Sequence, residues 1–424
     1  MPHWSLADNG RHLLRDGEPD FLLVDTLWAA LHRAEMEPFR KVLALRREQG
    51  FSGVMMSILP IAHDRSGGLH HPFPPRVDGT PDFSRLDPAW LDRAETMLAA
   101  VVKHGLTPML MLQWVNYVPD TWASLEAPEL VMNDTDTIVM VEKVVERFAR
   151  FDPIWSVSGD ETFTSDAAIS RHVLIARRLR EIDSDHLITA HTGGWIHFPE
   201  AVNEVVDFVG YQSGHDGANW QEQPQHWNRY LSTLQHRRPA MNLEPPYEGH
   251  GFNGGEGRYL AREIRTAGWR SVITGAGAGL AYGAHGLWSW HHAGEPFSSE
   301  DWSGMPFDAM VALRLPGAQD MGWLREQAVK HRFWELQDRS DLIVRDRSGM
   351  TVGATADLGR IVVHAPHPFR FEIQVDEADY DVVAFDIVDR SEASVQVTPG
   401  ESGRLNIGTP QRCSEHLYVL HRPR

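Results

Sequence analysis

Between Phe21 and Trp290 the sequence alternates eight times between a short apolar run and a longer stretch patterned as a helix. The runs are FLLVDTLW (21–28), FSGVMMSILP (51–60), TPMLMLQW (107–114), DPIWSVSGDE (152–161), HLITAHTGG (186–194), DFVGYQSGH (207–215), RPAMNLEPPYEG (238–249) and GLAYGAHGLWSW (279–290). Typical of the intervening segments is EPFRKVLALRREQG, with Phe39, Val42, Leu43 and Leu45 on one face and Gly50 as its stop; WLDRAETMLAAVVKHG ends likewise at Gly105. Such alternation predicts an α/β fold with a parallel sheet, and eight units predict closure into a (β/α)8 TIM barrel. No G-x-G-x-x-G lies between an early strand and its helix, so a dinucleotide-binding sheet has no support.

From Ser340 the texture changes to short alternating runs separated by turn residues, among them RIVVHAP, FRFEIQVD, DVVAFDIVD and HLYVLHR. These predict a small C-terminal antiparallel β-sandwich. The expected division is a barrel over residues 1–338 and the sandwich over 339–424, which suits a length of 424.

The net charge of −18, with 58 acidic against 40 basic residues and no basic run, argues against a nucleic-acid partner. One cysteine, Cys413, excludes an intramolecular disulfide framework and fits a reducing compartment. MPHWSLADNGRHLL has no charged segment leading into a long apolar core, and no apolar stretch reaches membrane-spanning length. The expectation is a cytoplasmic protein with no membrane partner.

Chemistry gathers at the strand ends. In RPAMNLEPPYEG an apolar run stops on Glu244, because the two prolines that follow forbid its continuation. The other ends offer Asp25 and Trp28, His63 and Asp64, Gln113 and Trp114, Asp160 and Glu161, His191, Gln212 and His215, Tyr247, and His285, Trp288 and Trp290. One face of the barrel is therefore expected to be acidic and aromatic, and aromatic faces stack on sugar rings. Glycoside cleavage needs one carboxylic acid to protonate the leaving oxygen and a second carboxylate to attack, or to activate water. Acids at the ends of strands four and seven, Asp160 and Glu244, can face each other across the pocket. Alternation counted from Trp155 favours Asp160 over its neighbour Glu161, although a slip of one residue reverses the choice.

Structural roles compete with these assignments. Asp25 is suited to cap the following helix, and His63, His70 and His71 fall in a long Gly-, Pro- and His-rich loop from Ile61 to Pro88. A metal-dependent barrel hydrolase calls for a His-x-His pair on strand one, which FLLVDTLW lacks; His291 and His292 are adjacent, a poor spacing for one ion. No metal and no cofactor is expected. GAGAGLAYGAHG leads into a strand instead of out of one, so its glycines suit close packing better than a phosphate cradle.

DTLW, QGF, WSVSGDE, ITAHTGG with VGYQSGH, NLEPPYEG and YGAHGLWSWH, in that order between about Gly17 and Leu336, together resemble the apiosidase-like glycoside hydrolases, glycoside hydrolase family 140 and its relatives. The tail from Ser340 is similar to the β-domain, labelled collagen-binding, that usually follows. The resemblance implies a TIM barrel with the acid/base after strand four, matched here by Asp160, and the nucleophile after strand seven, matched by Glu244. It also implies retention of configuration, with the carboxyl groups about 5–5.5 Å apart. Asp25, Trp28, His191, Gln212, Tyr247 and Trp288 match positions around the family's pocket. Relatives acting on cell-wall polysaccharide normally carry an export signal; none is visible here, which favours a small glycoside, such as an apioside or arabinofuranoside, as substrate. The alternatives are a sugar-binding protein on a barrel scaffold, or a sugar lyase or isomerase.

Overall fold

Asp16 and Gly17 both have positive φ, 52° and 85°, and so form a tight two-residue hairpin turn. The strands Leu13–Arg15 and Glu18–Pro19 pair across it, and Trp4–Leu6 adds a third strand. No pattern in the sequence announced this small sheet. The structure, a computed structural model, describes residues 2–63, 70–215, 219–252, 257–345, 349–375 and 379–423.

The eight apolar runs each contain a strand: β1 (Leu22–Thr26), β2 (Gly53–Ser57), β3 (Thr107–Met111), β4 (Ile154–Ser156), β5 (Ile188–Thr189), β6 (Val209–Gln212), β7 (Ala240–Glu244) and β8 (Gly279–Tyr282). They lie parallel in the order β5-β4-β3-β2-β1-β8-β7-β6. The free edges meet at an isolated parallel bridge between His191 and Gly210, where Gly210 N–H donates to Ala190 O at 3.1 Å and Thr192 N–H to Gly210 O at 3.2 Å. The sheet is thus an all but closed TIM-like barrel. Every strand residue is buried, as expected for strands covered by helices outside and packed side chains inside.

Helices cover the outside, several with side-chain caps. Asp87 accepts from Ala89 N–H ahead of Pro88–Lys103, Asn133 from Asp136 N–H ahead of Asp134–Phe148, and Ser165 from Ala168 N–H ahead of Asp166–Ile182. Among the described residues no helix is long and apolar enough to cross a membrane.

Two antiparallel sheets follow the barrel, one of six strands between Gln337 and His421 and one of four between Ile343 and Ile407. Alternation divides the strands of the larger sheet. Ile361, Val363, Tyr418 and Leu420 pack in a core with Phe371, Ile373, Leu405 and Ile407 of the smaller sheet, whereas Val362, Leu417 and Val419 join the barrel's core. Arg265 fastens this junction, donating to Asp320 Oδ2 at 2.9 Å and Glu415 Oε1 at 2.7 Å, while Arg390 reaches Asp320 Oδ1 at 2.7 Å.

Candidate functional site

Glu244 is the last residue of β7, and its side chain is nearly buried. Its Oε1 accepts from Gln212 Nε2 at 3.2 Å and from His215 Nε2 at 3.0 Å, and its Oε2 lies 3.4 Å from His191 Nε2. The backbone fixes which ring nitrogens bear the hydrogens. Asp160 N–H donates to His191 Nδ1 at 2.8 Å and Tyr247 N–H to His215 Nδ1 at 3.3 Å, so both Nδ1 atoms are acceptors. Both histidines therefore present Nε2–H to Glu244. Burial alone would raise the Glu244 carboxyl; the hydrogen bonds from His191 and His215 hold it well below the usual carboxylate range.

Asp160 follows β4 in the left-handed region, φ 56°, a conformation that Asp tolerates better than most residues and one often found at functional sites. A close approach places it. A Cβ on Gly159 would stand 2.3 Å from the Trp114 ring, so only glycine lets the indole lie on the turn that delivers Asp160. Asp160 Oδ2 is 2.9 Å from His63 Nε2. Burial disfavours a charged His63, but the hydrogen bond and the charge of Asp160, with Glu244 behind it, raise its pKa above the ordinary value.

Asp160 and Glu244 line one cavity of about 220 Å³ at the C-terminal end of the barrel, with His63, Gln212, His215 and His250 as further polar groups. Trp28, Trp114, Tyr247, Trp288 and Trp302 supply aromatic wall. Trp28 Nε1 donates to Tyr247 Oη at 2.8 Å, and the Trp28 and Trp114 rings meet edge to face at 5.1 Å. Burial, then the charge of Glu244, push the Tyr247 phenol well above its usual value, so it stays neutral. The aromatic wall, paired acids and donor groups together suit a small polyhydroxylated ring.

Of the residues singled out in the sequence, Asp160, Glu244, Trp28, His63, Trp114, Gln212, Tyr247 and Trp288 line this cavity, and His191 stands directly behind the two acids. Five others point elsewhere. Asp25 faces the surrounding helices and pairs with Arg46 at 2.6 Å; it caps nothing, since the next helix starts after Ala29 without a side-chain cap. Gln113 donates to Thr137 at 3.3 Å, Glu161 is buried against His172 Nε2 at 3.1 Å, and His285 bonds Gly304 O at 2.8 Å. Trp290 donates to Glu35 at 3.1 Å. The splits between Gln113 and Trp114, and between Asp160 and Glu161, are the alternation of a strand carried into the loop that follows it. Glu248 also turns away, accepting from Tyr282 Oη at 2.6 Å and Gly317 N–H at 2.8 Å. Asp64 lies outside the described residues.

His215 was visible as a strand-end residue but not assigned a place, and His250 and Trp302 were missed. His250 stacks on His215 with ring centres 4.1 Å apart, and Trp302 packs on His250 at 5.0 Å and on His63 at 5.8 Å. His250 is close enough to NLEPPYEG for that motif to have drawn it in; Trp302 carries no such local signal.

A larger cleft, about 1,140 Å³, opens near the N-terminal ends of the strands, between the barrel and the C-terminal sheets. Arg229 and Arg360 on its wall are paired with Asp338 at 2.5 Å and Glu335 at 2.9 Å, and neither Asp160 nor Glu244 reaches it. Its size does not outweigh the chemistry of the smaller cavity.

The sequence matches, over residues 7–335, the family described as "Apiosidase-like, catalytic domain". No curated protein matches it. Among solved structures, one described as a glycoside hydrolase aligns with a TM-score of 0.78 at 17% identity, covering 99% of this chain and 97% of that one. A glycoside hydrolase family 5 structure from Bacteroides vulgatus gives the same TM-score and identity, covering 99% and 94%. A family 5 mannosidase from Rhizomucor miehei aligns at TM-score 0.52 and 12% identity, over 78% of this chain and 98% of its own. At such identities these likenesses speak for the fold.

Proposed function

Because the chain belongs to the apiosidase-like catalytic-domain family, we propose that it is a retaining glycosidase acting on the end residue of a small glycoside, with Glu244 as nucleophile and Asp160 as acid/base. The observation that supports this most is the state of Glu244: a buried carboxylate kept ionised by two Nε2–H groups, with no arginine or lysine bonded to it among the described residues. A nucleophile needs that balance, because a full salt bridge would hold its electron pair back. Oε1 already accepts two hydrogen bonds, so Oε2, with only the longer approach of His191, is the oxygen that attacks.

In this reading Oε2 bonds to the anomeric carbon while the bond to the leaving oxygen breaks. The proton held between His63 and Asp160 passes through Asp160 to that oxygen. Asp160 then takes a proton from water, whose oxygen displaces Glu244 and restores the starting configuration. The small volume of the cavity supports a single sugar ring, and a furanoside such as an apioside or arabinofuranoside is the favoured class.

The test is a panel of aryl furanosides and pyranosides, with the first-formed anomer read by proton NMR. Turnover of one of them with the product anomer matching the substrate is expected. Saturable binding of sugars with no turnover would favour the sugar-binding alternative instead.

A further inference from the structure

At the end of the barrel away from Glu244, two histidines converge on one carboxylate oxygen. Asp152 precedes β4, with its backbone in the left-handed region at φ 51° and ψ 53°. His3 Nδ1 lies 2.9 Å and His186 Nε2 3.3 Å from Asp152 Oδ1. Three separate stretches of chain supply them: the N-terminal segment, the turn before β4 and the turn before β5. Among the described residues this is the one group of three or more histidine, cysteine or acidic side chains whose donor atoms all fall within 4.8 Å of one another.

The neighbours of His186 make the arrangement specific. Its Nδ1 is 2.7 and 2.8 Å from the two oxygens of Asp183, and Asp183 in turn accepts from Trp155 Nε1 at 2.7 Å. A carboxylate only accepts, so Nδ1 carries a hydrogen, and Nε2 is the ring nitrogen turned toward Asp152, able to bind a metal once it has given up any proton of its own. A carboxylate that holds the far nitrogen of a histidine is the usual support behind a metal-bound imidazole. In a tetrahedral site with bonds of about 2.0–2.1 Å, donor atoms stand about 3.3–3.4 Å apart, and the His186–Asp152 pair already has that separation.

We infer that His3, Asp152 and His186 bind one divalent transition-metal ion, with zinc the best match to two imidazoles, one carboxylate and a water. His3 and Asp152 are partly exposed, at 43% and 23%, so an ion can enter and a water can complete its shell. The role is structural. His3 adjoins Trp4, whose Nε1 donates to Thr107 Oγ1 at 3.0 Å at the start of β3, so the ion would clamp the N-terminal segment to the base of β3, β4 and β5. This end of a TIM barrel serves stability, whereas reactions take place at the other.

The experiment uses the full chain without a polyhistidine tag, stripped with a chelator and titrated at neutral pH with Zn²⁺ by calorimetry and with Co²⁺ by visible absorption. One saturable ion per chain is expected, lost in His3→Ala and in His186→Ala, and weakened about 10–100-fold in Asp183→Asn. Zn²⁺ should raise the melting temperature of the parent and leave that of His3→Ala unchanged. Among the described residues the His3 side chain makes one hydrogen bond, so its replacement leaves the fold available for measurement. If the parent and His3→Ala bind the same amount of metal with the same affinity, the inference fails, and His186 is a protonated link between Asp183 and Asp152.

Discussion

Asp160 gives its backbone N–H to His191 Nδ1 at 2.8 Å, and by doing so fixes the hydrogen of His191 on the nitrogen that faces Glu244. The turn that presents one acid therefore sets the charge state around the other. His191 also forms the bridge with Gly210 that joins the edges of the barrel. Fold closure and site electrostatics meet in this residue.

Replacing either acid should separate binding from chemistry. With the best aryl glycoside, Asp160→Asn is expected to lower kcat by about 10²–10⁴-fold, the usual contribution of a positioned proton donor. Glu244→Gln should lower it on the order of 10⁴-fold. Steady-state kinetics with a poor leaving group gives the full effect of Asp160. An activated leaving group needs less protonation and should shrink it.

The pH profile should be asymmetric. Glu244 is held below the carboxylate range, so no loss of activity is expected from its protonation near pH 4.5. His63 is raised above its ordinary value, so the proton it shares with Asp160 is kept to higher pH than on a free imidazole and is lost as pH rises through that raised value. In His63→Ala the proton must rest on Asp160 alone. The basic limb of kcat/KM against pH is then expected to move to lower pH; an unmoved limb would remove His63 from the account.

His215→Ala removes one of the hydrogen bonds that keep Glu244 ionised. A bond to a charged group contributes about 1.5–3 kcal/mol, and a loss of that order is expected at pH 7 by denaturant unfolding. The sign follows from linkage. A depressed carboxyl stabilises the fold above its unfolded pKa, and this is lost as pH falls toward its native value. The gap between parent and variant should therefore narrow below pH 4.5.

Gly159→Ala places a methyl group 2.3 Å from the Trp114 ring. Crowding of this kind costs about 1–3 kcal/mol, and relief here can come only by moving the indole or the turn that bears Asp160. Lower kcat with an altered Trp fluorescence spectrum is expected. At the domain junction, Arg265→Ala leaves the buried acids Asp320 and Glu415 short of a partner, and a loss of about 3–5 kcal/mol is expected in thermal or denaturant unfolding.

The barrel was legible because parallel strands covered on both sides leave unbroken apolar runs, and the prolines after Glu244 mark an end that composition alone would blur. The same signal does not exist for the N-terminal sheet. Its strands are two or three residues long, and Glu18 and Pro19 are exposed, so no period develops. At the strand ends the sequence showed which residues arrive but not which way all of them turn. Asp25 and Trp290 look like site residues until Arg46 and Glu35 are seen beside them, and those partners come from the helix Met36–Glu48 and the residue just before it. Trp302 reaches the cavity from a segment well past the last strand, where nothing local announces it.

The central claim is that Glu244 attacks the sugar. Glu244→Ala should lose turnover of the aryl glycoside that the parent cleaves, and added azide should restore release of the aryl group, giving a glycosyl azide of anomeric configuration opposite to the substrate. Wild-type turnover in Glu244→Ala without azide, or an inverted first product from the parent enzyme, would contradict the account.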